Sequence, residues 1–156
     1  MQKIAFVCTR NRFRSPLAAA ILQRELALRN VPGEWTVESA GSWVYDLLPA
    51  TPEAFAEAAK RGLDISSHTA QSIEALDLDS IDFLLVMEQG QKESILLDFP
   101  QLTNRTFLLS ELSGPAFSIP DPYVTKEPSD VIAQEIETLI ESNFDQITAL
   151  AQKRQH

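Results

Sequence analysis

Cysteine is nearly missing from this chain: its 156 residues include one, Cys8. A lone cysteine makes no internal disulfide, so nothing points to an oxidising compartment. Long apolar runs are missing too, and none approaches the ~20 residues that a membrane-spanning helix needs. The N-terminus lacks the charged, apolar and small-residue segments of a secretory signal. A cytoplasmic protein with no membrane partner is therefore expected. Positive charge is scarce, with 13 Lys and Arg against 22 Asp and Glu and a formal net charge of −9. That balance argues against nonspecific nucleic-acid binding. No repeat, low-complexity tract or linker divides the chain, so one domain over 1–156 is expected. An apolar content of 44% is ample for a buried core at this length.

The scarce positive charge is concentrated. Residues 1–29 hold six Lys and Arg (Lys3, Arg10, Arg12, Arg14, Arg24, Arg29) against one acid, Glu25, a local charge of +5. Residues 30–156 hold seven against 21, a charge of −14. Such a basic spot suits a small anionic group held at one place. Arg24 and Arg29 read as ordinary surface arginines. Arg10, Arg12 and Arg14 instead crowd the stretch "CTRNRFRSP" that begins at Cys8.

The surrounding pattern places that stretch. "KIAFVC" (3–8) is a short apolar run of the kind a buried strand shows. Ser15 and Pro16 read as the cap and first residue of a helix that runs to about Arg29. "WTVES" (35–39) is a second strand. "TPEAFAEAAKRG" (51–62) is a helix capped by Thr51 and stopped by Gly62. "SIDFLLVM" (80–87) is a buried strand, followed by a short helix to about Leu97, and "RTFLLS" (105–110) is a fourth strand. From Ser129, the residues Ile132, Ile136, Leu139, Ile140, Phe144, Ile147 and Leu150 form one face of a long C-terminal helix. Strands alternating with helices predict an α/β fold, a parallel sheet covered on both faces. Ligands of such sheets bind beyond the carboxyl ends of the strands, where Cys8 sits.

The spacing Cys8–Arg14–Ser15 has a chemical reading. A loop that leaves a strand and enters a helix can turn successive backbone N–H groups inward, and the positive end of the helix adds to that anion site. An arginine at the end of the loop can hold two phosphate oxygens with its planar fork. The same field favours thiolate over thiol at Cys8, and Ser15 can donate a hydrogen bond to the sulfur. The result is a nucleophile beneath a cradle for a tetrahedral dianion. The plainer alternatives are Cys8 as a small core residue and Ser15 as only a helix cap. Arg followed by Ser or Thr at these offsets from a random cysteine should occur roughly once in a hundred times or less. Phosphoryl transfer also needs a proton donor for the leaving group. Asp121 of "IPDPY" (119–123), on a backbone stiffened by two prolines, is the best candidate. An ordinary turn aspartate is the plain alternative.

Together these segments closely resemble the low-molecular-weight protein tyrosine phosphatase family. The resemblance runs from "FVCTRNRFRSPLAAAIL" through "VESAG", "PATPEAFAEAAKRGLDISSH", "DFLLVM" and "IPDPY", in the family's order and over almost the whole chain. It implies a three-layer α/β/α fold with a four-stranded parallel sheet and a phosphate-binding loop, Cys8–Ser15, between the first strand and first helix. Thr9, Arg10, Asn11, Arg12, Phe13, Arg14 and Ser15 would then surround the phosphate. It implies Cys8 as the nucleophile of a phosphocysteine intermediate. Arg14 would bind the phosphoryl oxygens, and Asp121 would protonate the leaving oxygen and then activate water. No metal or other cofactor is implied, because loop amides and Arg14 supply the positive charge. Asn11 falls where the family has an asparagine that shapes the loop, and Ser39 and His68 fall where a hydrogen-bond network braces it.

The chain also departs from the family, which usually reads Cys-x-Gly-Asn-x-Cys-Arg-Ser. Arg10 replaces the glycine and costs roughly 1–2 kcal/mol if position 10 needs positive φ; otherwise it adds charge at the rim. Phe13 replaces the second cysteine, so the family's reversible disulfide protection is lost and oxidation of Cys8 needs an outside thiol for rescue. Position 12 is often apolar in tyrosine-directed members and threonine in arginine-phosphate-directed ones. Arg12 is neither; it can stack on a substrate ring, pair with an acidic flank or turn to solvent. The segment "SAGSWVYDLLPATP" lacks the usual glycine-rich, His-containing wall. Trp43 and Tyr45 can form an aromatic wall or pack inside. Tyr123 follows Asp121-Pro122 as in the family, but Val124 replaces the often-seen second tyrosine.

The activity expected is hydrolysis of phosphomonoesters on a phosphorylated protein or a small aryl phosphate. Arsenate reduction with an external thiol and a weakly catalytic phosphate-binding module are the alternatives. Nothing in the sequence specifies an oligomeric state.

Overall fold

Four strands and six α-helices follow one another in the computed structural model, which describes residues 1–153; the last three residues of the expected domain lie outside the described residues. The strands are β1 (Gln2–Cys8), β2 (Trp35–Gly41), β3 (Phe83–Val86) and β4 (Thr106–Leu108). The helices are α1 (Arg14–Leu28), α2 (Pro52–Lys60), α3 (Gln89–Asp98), α4 (Pro122–Thr125), α5 (Ser129–Ser142) and α6 (Phe144–Lys153). The sheet order is β2-β1-β3-β4, with every pairing parallel. The chain first crosses from β1 to β2 on one side and then returns to β3 on the other. The direction of winding therefore reverses at β1, and the crevice of such a sheet opens at the carboxyl ends of the two strands there.

Alternation along the central strands divides the core into two layers. Ile4, Phe6 and Cys8 of β1, with Phe83 and Leu85 of β3, pack against Leu17 and Ile21 of α1, Ile136 and Ile140 of α5 and Phe144 of α6. Ala5, Val7, Leu84 and Val86 face the other way, toward Ile73, Ile81, Ile95 of α3 and Leu102. Strands buried on both faces read as the continuous apolar runs seen in the sequence. No helix among the described residues is long and apolar enough to cross a membrane.

Three expectations change. The expected single C-terminal helix is two helices, broken at Asn143. The buried Asn143 side-chain amide donates to the Leu139 carbonyl at 2.8 Å, beside its own backbone N–H at 3.0 Å, and this local bonding interrupts the helix. The apolar stripe runs through the break, so periodicity alone does not reveal it. The third strand begins at Phe83 rather than Ser80, because Leu78–Ser80 is a 3₁₀ turn. Arg24 is not an ordinary surface residue: it donates to Glu137 of α5 at 2.8 Å and to Glu25 at 3.1 Å. Burial opposes its charge, but those carboxylates outweigh burial and hold its pKa above the ordinary arginine value. Arg61, just after α2, reaches the same Glu137 at 3.1 Å, so one carboxylate ties three helices together. Arg29 pairs with Glu25 and lies 4.1 Å over the ring of Phe144.

Candidate active site

The loop between β1 and α1 is shaped by Asn11. This residue is fully buried and left-handed, with φ at 59°. Asparagine accepts that conformation at lower cost than most residues. Every polar group of Asn11 finds a partner. Its N–H donates to Cys8 Sγ at 3.3 Å. Its Nδ2 donates to Ser15 Oγ at 2.7 Å and Ser39 Oγ at 3.0 Å. Its Oδ1 accepts from Gln71 N–H at 3.0 Å. Its carbonyl lies 2.7 Å from His68 Nε2, which must carry the proton because a carbonyl only accepts. Ser39 and His68 thus meet Asn11 and not the sulfur, consistent with a bracing position.

Cys8 ends β1 and is 2% exposed. Its Sγ lies 2.9 Å from Ser15 Oγ. The expected cap position of Ser15 is corrected: α1 begins at Arg14, and Phe13 stands before it without a side-chain cap. Ser15 is instead inside the first turn and turned to the sulfur. Phe13 is 7% exposed and packs in the core while also lining the cavity above Cys8.

That cavity measures about 210 Å³ and is lined by Cys8, Arg10, Arg12, Arg14, Asp121 and Tyr123, among others. Arg14 is buried to 2%. Its Nη1 pairs with Glu88 and donates to the Ile119 carbonyl at 2.8 Å; its Nη2 lies 3.9 Å from Asp121 Oδ2. Asp121 caps α4 from the position before it, and its other oxygen accepts from Tyr123 N–H at 3.0 Å, which fixes the carboxyl. Residues far apart in sequence, Cys8 with Arg14 and Asp121, are therefore gathered at one mouth. The arrangement offers a sulfur nucleophile, a fixed cation and a carboxyl above them, the set needed to bind a dianion and move a proton.

The other loop positions resolve the open questions of the sequence. Among the described residues, the side-chain-bearing positions with positive φ are Asn11, Asn30 and Lys126. Arg10 therefore carries no left-handed strain, and its charge stands at the rim. Arg12 is tethered: its Nε donates to the Pro49 carbonyl at 2.9 Å, and its own carbonyl accepts from Thr51 N–H at 2.9 Å. Thr9 Oγ1 accepts from Gln91 Nε2 at 3.0 Å. Trp43 and Tyr45 do not pack inside; they are 62% and 79% exposed, with ring centroids 5.3 Å apart. They line a second, open groove of about 580 Å³ that shares Arg10, Arg12, Arg14 and Asp121 with the first. Tyr123 lines only the first.

Three residues escape the sequence reading. Glu88 pairs with Arg14, and Gln91 accepts from the N–H groups of Met87 and Glu88 at 3.1 and 2.9 Å while bonding Thr9. Both follow the carboxyl end of β3, on the other side of the winding reversal from Cys8. A first polar residue after a buried strand at that end is the signal that could have found Glu88. Gly41 is a third. A Cβ there would lie 2.5 Å from both the Thr9 carbonyl oxygen and Val44 Cγ2.

Comparison with known proteins agrees with this geometry. The family model for low molecular weight phosphotyrosine protein phosphatase matches residues 3–156. A probable low molecular weight protein-tyrosine-phosphatase, EpsP, of Ralstonia nicotianae is 37% identical over 123 residues, 79% of each chain. A protein-arginine-phosphatase of Geobacillus stearothermophilus is 32% identical over 141 residues, 89% of this chain and 91% of that one. The crystal structure of a low molecular weight protein tyrosine phosphatase from T. tengcongensis superposes with a TM-score of 0.84 at 30% identity, covering 94% of this chain and 99% of that one. The chain belongs to the low molecular weight phosphotyrosine protein phosphatase family of cysteine-dependent enzymes.

Proposed function

We propose that this chain, acting as one domain in the cytoplasm, hydrolyses phosphomonoesters on protein side chains through a phosphocysteine formed at Cys8. The observation that supports this best is the convergence of Cys8, Arg14 and Asp121 on one cavity at the carboxyl end of β1. In the first step the Cys8 thiolate attacks phosphorus. The S–P bond forms, the bond to the leaving oxygen breaks, and that oxygen takes its electron pair and a proton from Asp121. In the second step Asp121 accepts a proton from water, the water oxygen bonds to phosphorus, and the S–P electron pair returns to sulfur. The guanidinium of Arg14 holds the equatorial oxygens in both steps. Ser15 stabilises the sulfur as it departs. Asn11, Ser39 and His68 hold the loop in place.

The test is hydrolysis of a series of aryl phosphates by the wild type, Cys8→Ser and Asp121→Asn. Cys8→Ser should abolish turnover and retain vanadate or phosphate binding. Asp121→Asn should slow esters of poor leaving groups more than those of good ones. Equal slowing across the series would remove Asp121 from its role. Arsenate-dependent oxidation of an added thiol, without ester hydrolysis, would replace the phosphatase reading altogether.

A further inference from the structure

The Arg10 side chain leaves the loop and reaches across the mouth to Asp121, 111 residues away in sequence. Its Nη2 donates to Asp121 Oδ2 at 3.1 Å. Its guanidinium carbon lies 4.4 Å from the centroid of the Tyr123 ring. A carboxylate bonded to the fork and an aromatic ring under its plane are the two contacts by which proteins recognise a guanidinium. The same carboxylate is the group proposed to protonate the leaving atom. Arg10 thus fills, from within the chain, the place that an arginine leaving group would need. The surroundings add to this. Lys126 Nζ is 5.2 Å from the centroid of the same ring, and Arg12 lines the same cavity.

We infer that Arg10 is a specificity-determining residue that occupies the guanidinium niche of its own site and so excludes phosphoarginine in favour of phosphotyrosine. The inference rests on the phosphatase reading above and deepens it. Family membership does not make this choice, because relatives of both named activities match the chain.

The chemistry separates the two substrates. In phosphoarginine the phosphoryl group is carried by a guanidinium nitrogen, and the guanidinium is cationic at neutral pH. Seating it over Cys8 sets a second guanidinium against Arg10, with both claiming Asp121 and Tyr123. Like charges brought together in a partly desolvated site are strongly disfavoured. The phenol ester of phosphotyrosine has no such charge. Asp121 must be protonated to serve its leaving oxygen, so its ion pair with Arg10 opens as the ester enters. The freed planar guanidinium can then stack on the incoming ring. In that reaction the Sγ–P bond forms, the P–O bond breaks, the electron pair passes to the phenolic oxygen, and the Asp121 proton neutralises it.

The experiment compares kcat/KM for two peptides of one sequence, carrying phosphotyrosine or phosphoarginine, with p-nitrophenyl phosphate as the reference substrate. The enzymes are the wild type, Arg10→Met, Arg10→Gly and Arg10→Lys. The wild type should favour phosphotyrosine. Arg10→Met and Arg10→Gly should move the ratio toward phosphoarginine by about ten- to a hundredfold, the factor that relief of one partly screened like-charge contact supplies. Arg10→Lys, with charge but no planar fork, should fall between. Calorimetric binding of both peptides to Cys8→Ser and to Cys8→Ser with Arg10→Met should show the same shift. A ratio unmoved within twofold, whatever the change in turnover of the reference substrate, overturns the role of Arg10 alone. Absence of turnover on every substrate by the wild type overturns the phosphatase reading and this inference with it.

Discussion

Ser15 holds its Oγ 2.9 Å from Cys8 Sγ from within the first turn of α1, not from the cap. The same Oγ accepts from Asn11 Nδ2 at 2.7 Å, which points the hydroxyl proton away from the amide; the Ala40 carbonyl at 3.4 Å is its more distant acceptor, and a thiolate at Cys8 is the nearer one. Ser15 is fully buried, so no water replaces it if it is removed. A hydrogen bond to a charged group contributes about 1.5–3 kcal/mol.

Ser15→Ala should therefore lower kcat about ten- to a hundredfold. The loss should be greatest in dephosphorylation, where sulfur is the leaving atom and must take up negative charge. Rapid-quench detection of the phosphocysteine should show it accumulating in the variant. A variant whose intermediate does not accumulate, with slowing confined to the first step, would contradict this assignment.

Asn11 is the position where the loop's shape depends on one residue. Asn11→Ala leaves a left-handed backbone without a side chain suited to it, at about 1–2 kcal/mol. It also strands Ser39 Oγ and the Gln71 N–H, each a buried or half-buried polar group that costs about 1–3 kcal/mol when unpaired, and it removes one of the partners of Ser15. The variant should lose several degrees of Tm and bind vanadate at least tenfold more weakly. Asn11→Gly should recover part of the stability but not the affinity, because it relieves the backbone without restoring the bonds. Thermal unfolding with and without vanadate distinguishes the two contributions.

Glu88 and Ile119 hold Arg14 from two sides. Glu88→Gln keeps the shape and removes the charge that competes with substrate for the guanidinium. Inorganic phosphate should then inhibit as well as before or better. The kcat should nevertheless fall about tenfold, because a guanidinium released from one anchor is less well placed for the transition state. A parallel fall in phosphate affinity and kcat would mean that Glu88 serves only to keep Arg14 in the site.

The contrast between these residues shows what a sequence displays and what it conceals. Cys8, Arg14 and Ser15 belong to one loop, and the physics that joins them is local: a strand end, a short turn and a helix start. The alternating strands and helices likewise announce the parallel sheet. Asp121 is different. Held between two prolines it is the best proton-donor candidate the sequence offers, yet taken alone it looks like any turn aspartate, and the family resemblance adds the weight that its local pattern lacks. Glu88 lies 74 residues from the arginine it pairs with, and Gln91 lies 82 from Thr9. Arg10 lies 111 residues from Asp121. No periodicity or spacing encodes such pairs; the sheet order brings the carboxyl ends of β1 and β3 together, and the segment after β4 joins them where Ile119 N–H donates to the Met87 carbonyl at 2.8 Å. The direction of the Trp43 and Tyr45 rings was open for a related reason. Aromatic residues in a loop serve burial and binding equally well, and only the path of the chain decides.

Gly41 gives that path a point that can be tested. It pairs in register with Cys8 at the end of β2, and the chain beyond it runs beside the loop: Ser42 N–H donates to the Cys8 carbonyl at 2.8 Å and Trp43 N–H to the Thr9 carbonyl at 2.9 Å. A methyl group at position 41 would meet the Thr9 oxygen and Val44 Cγ2 at 2.5 Å, closer than nonbonded atoms approach. One of these neighbours is backbone and cannot simply rotate away. Gly41→Ala should therefore destabilise the fold by about 1–3 kcal/mol, a fall in Tm of roughly 2–4 °C per kcal/mol for a domain of this size. Relief of the clash pushes Thr9 toward the cavity, so vanadate affinity and kcat should fall together. Gly62, where nothing lies within 4 Å of an added Cβ, supplies the comparison. Its φ of 69° still penalises a side chain, so Gly62→Ala should cost stability and leave vanadate affinity unchanged. Equal effects of the two substitutions on vanadate binding would show that the loop does not feel the end of β2.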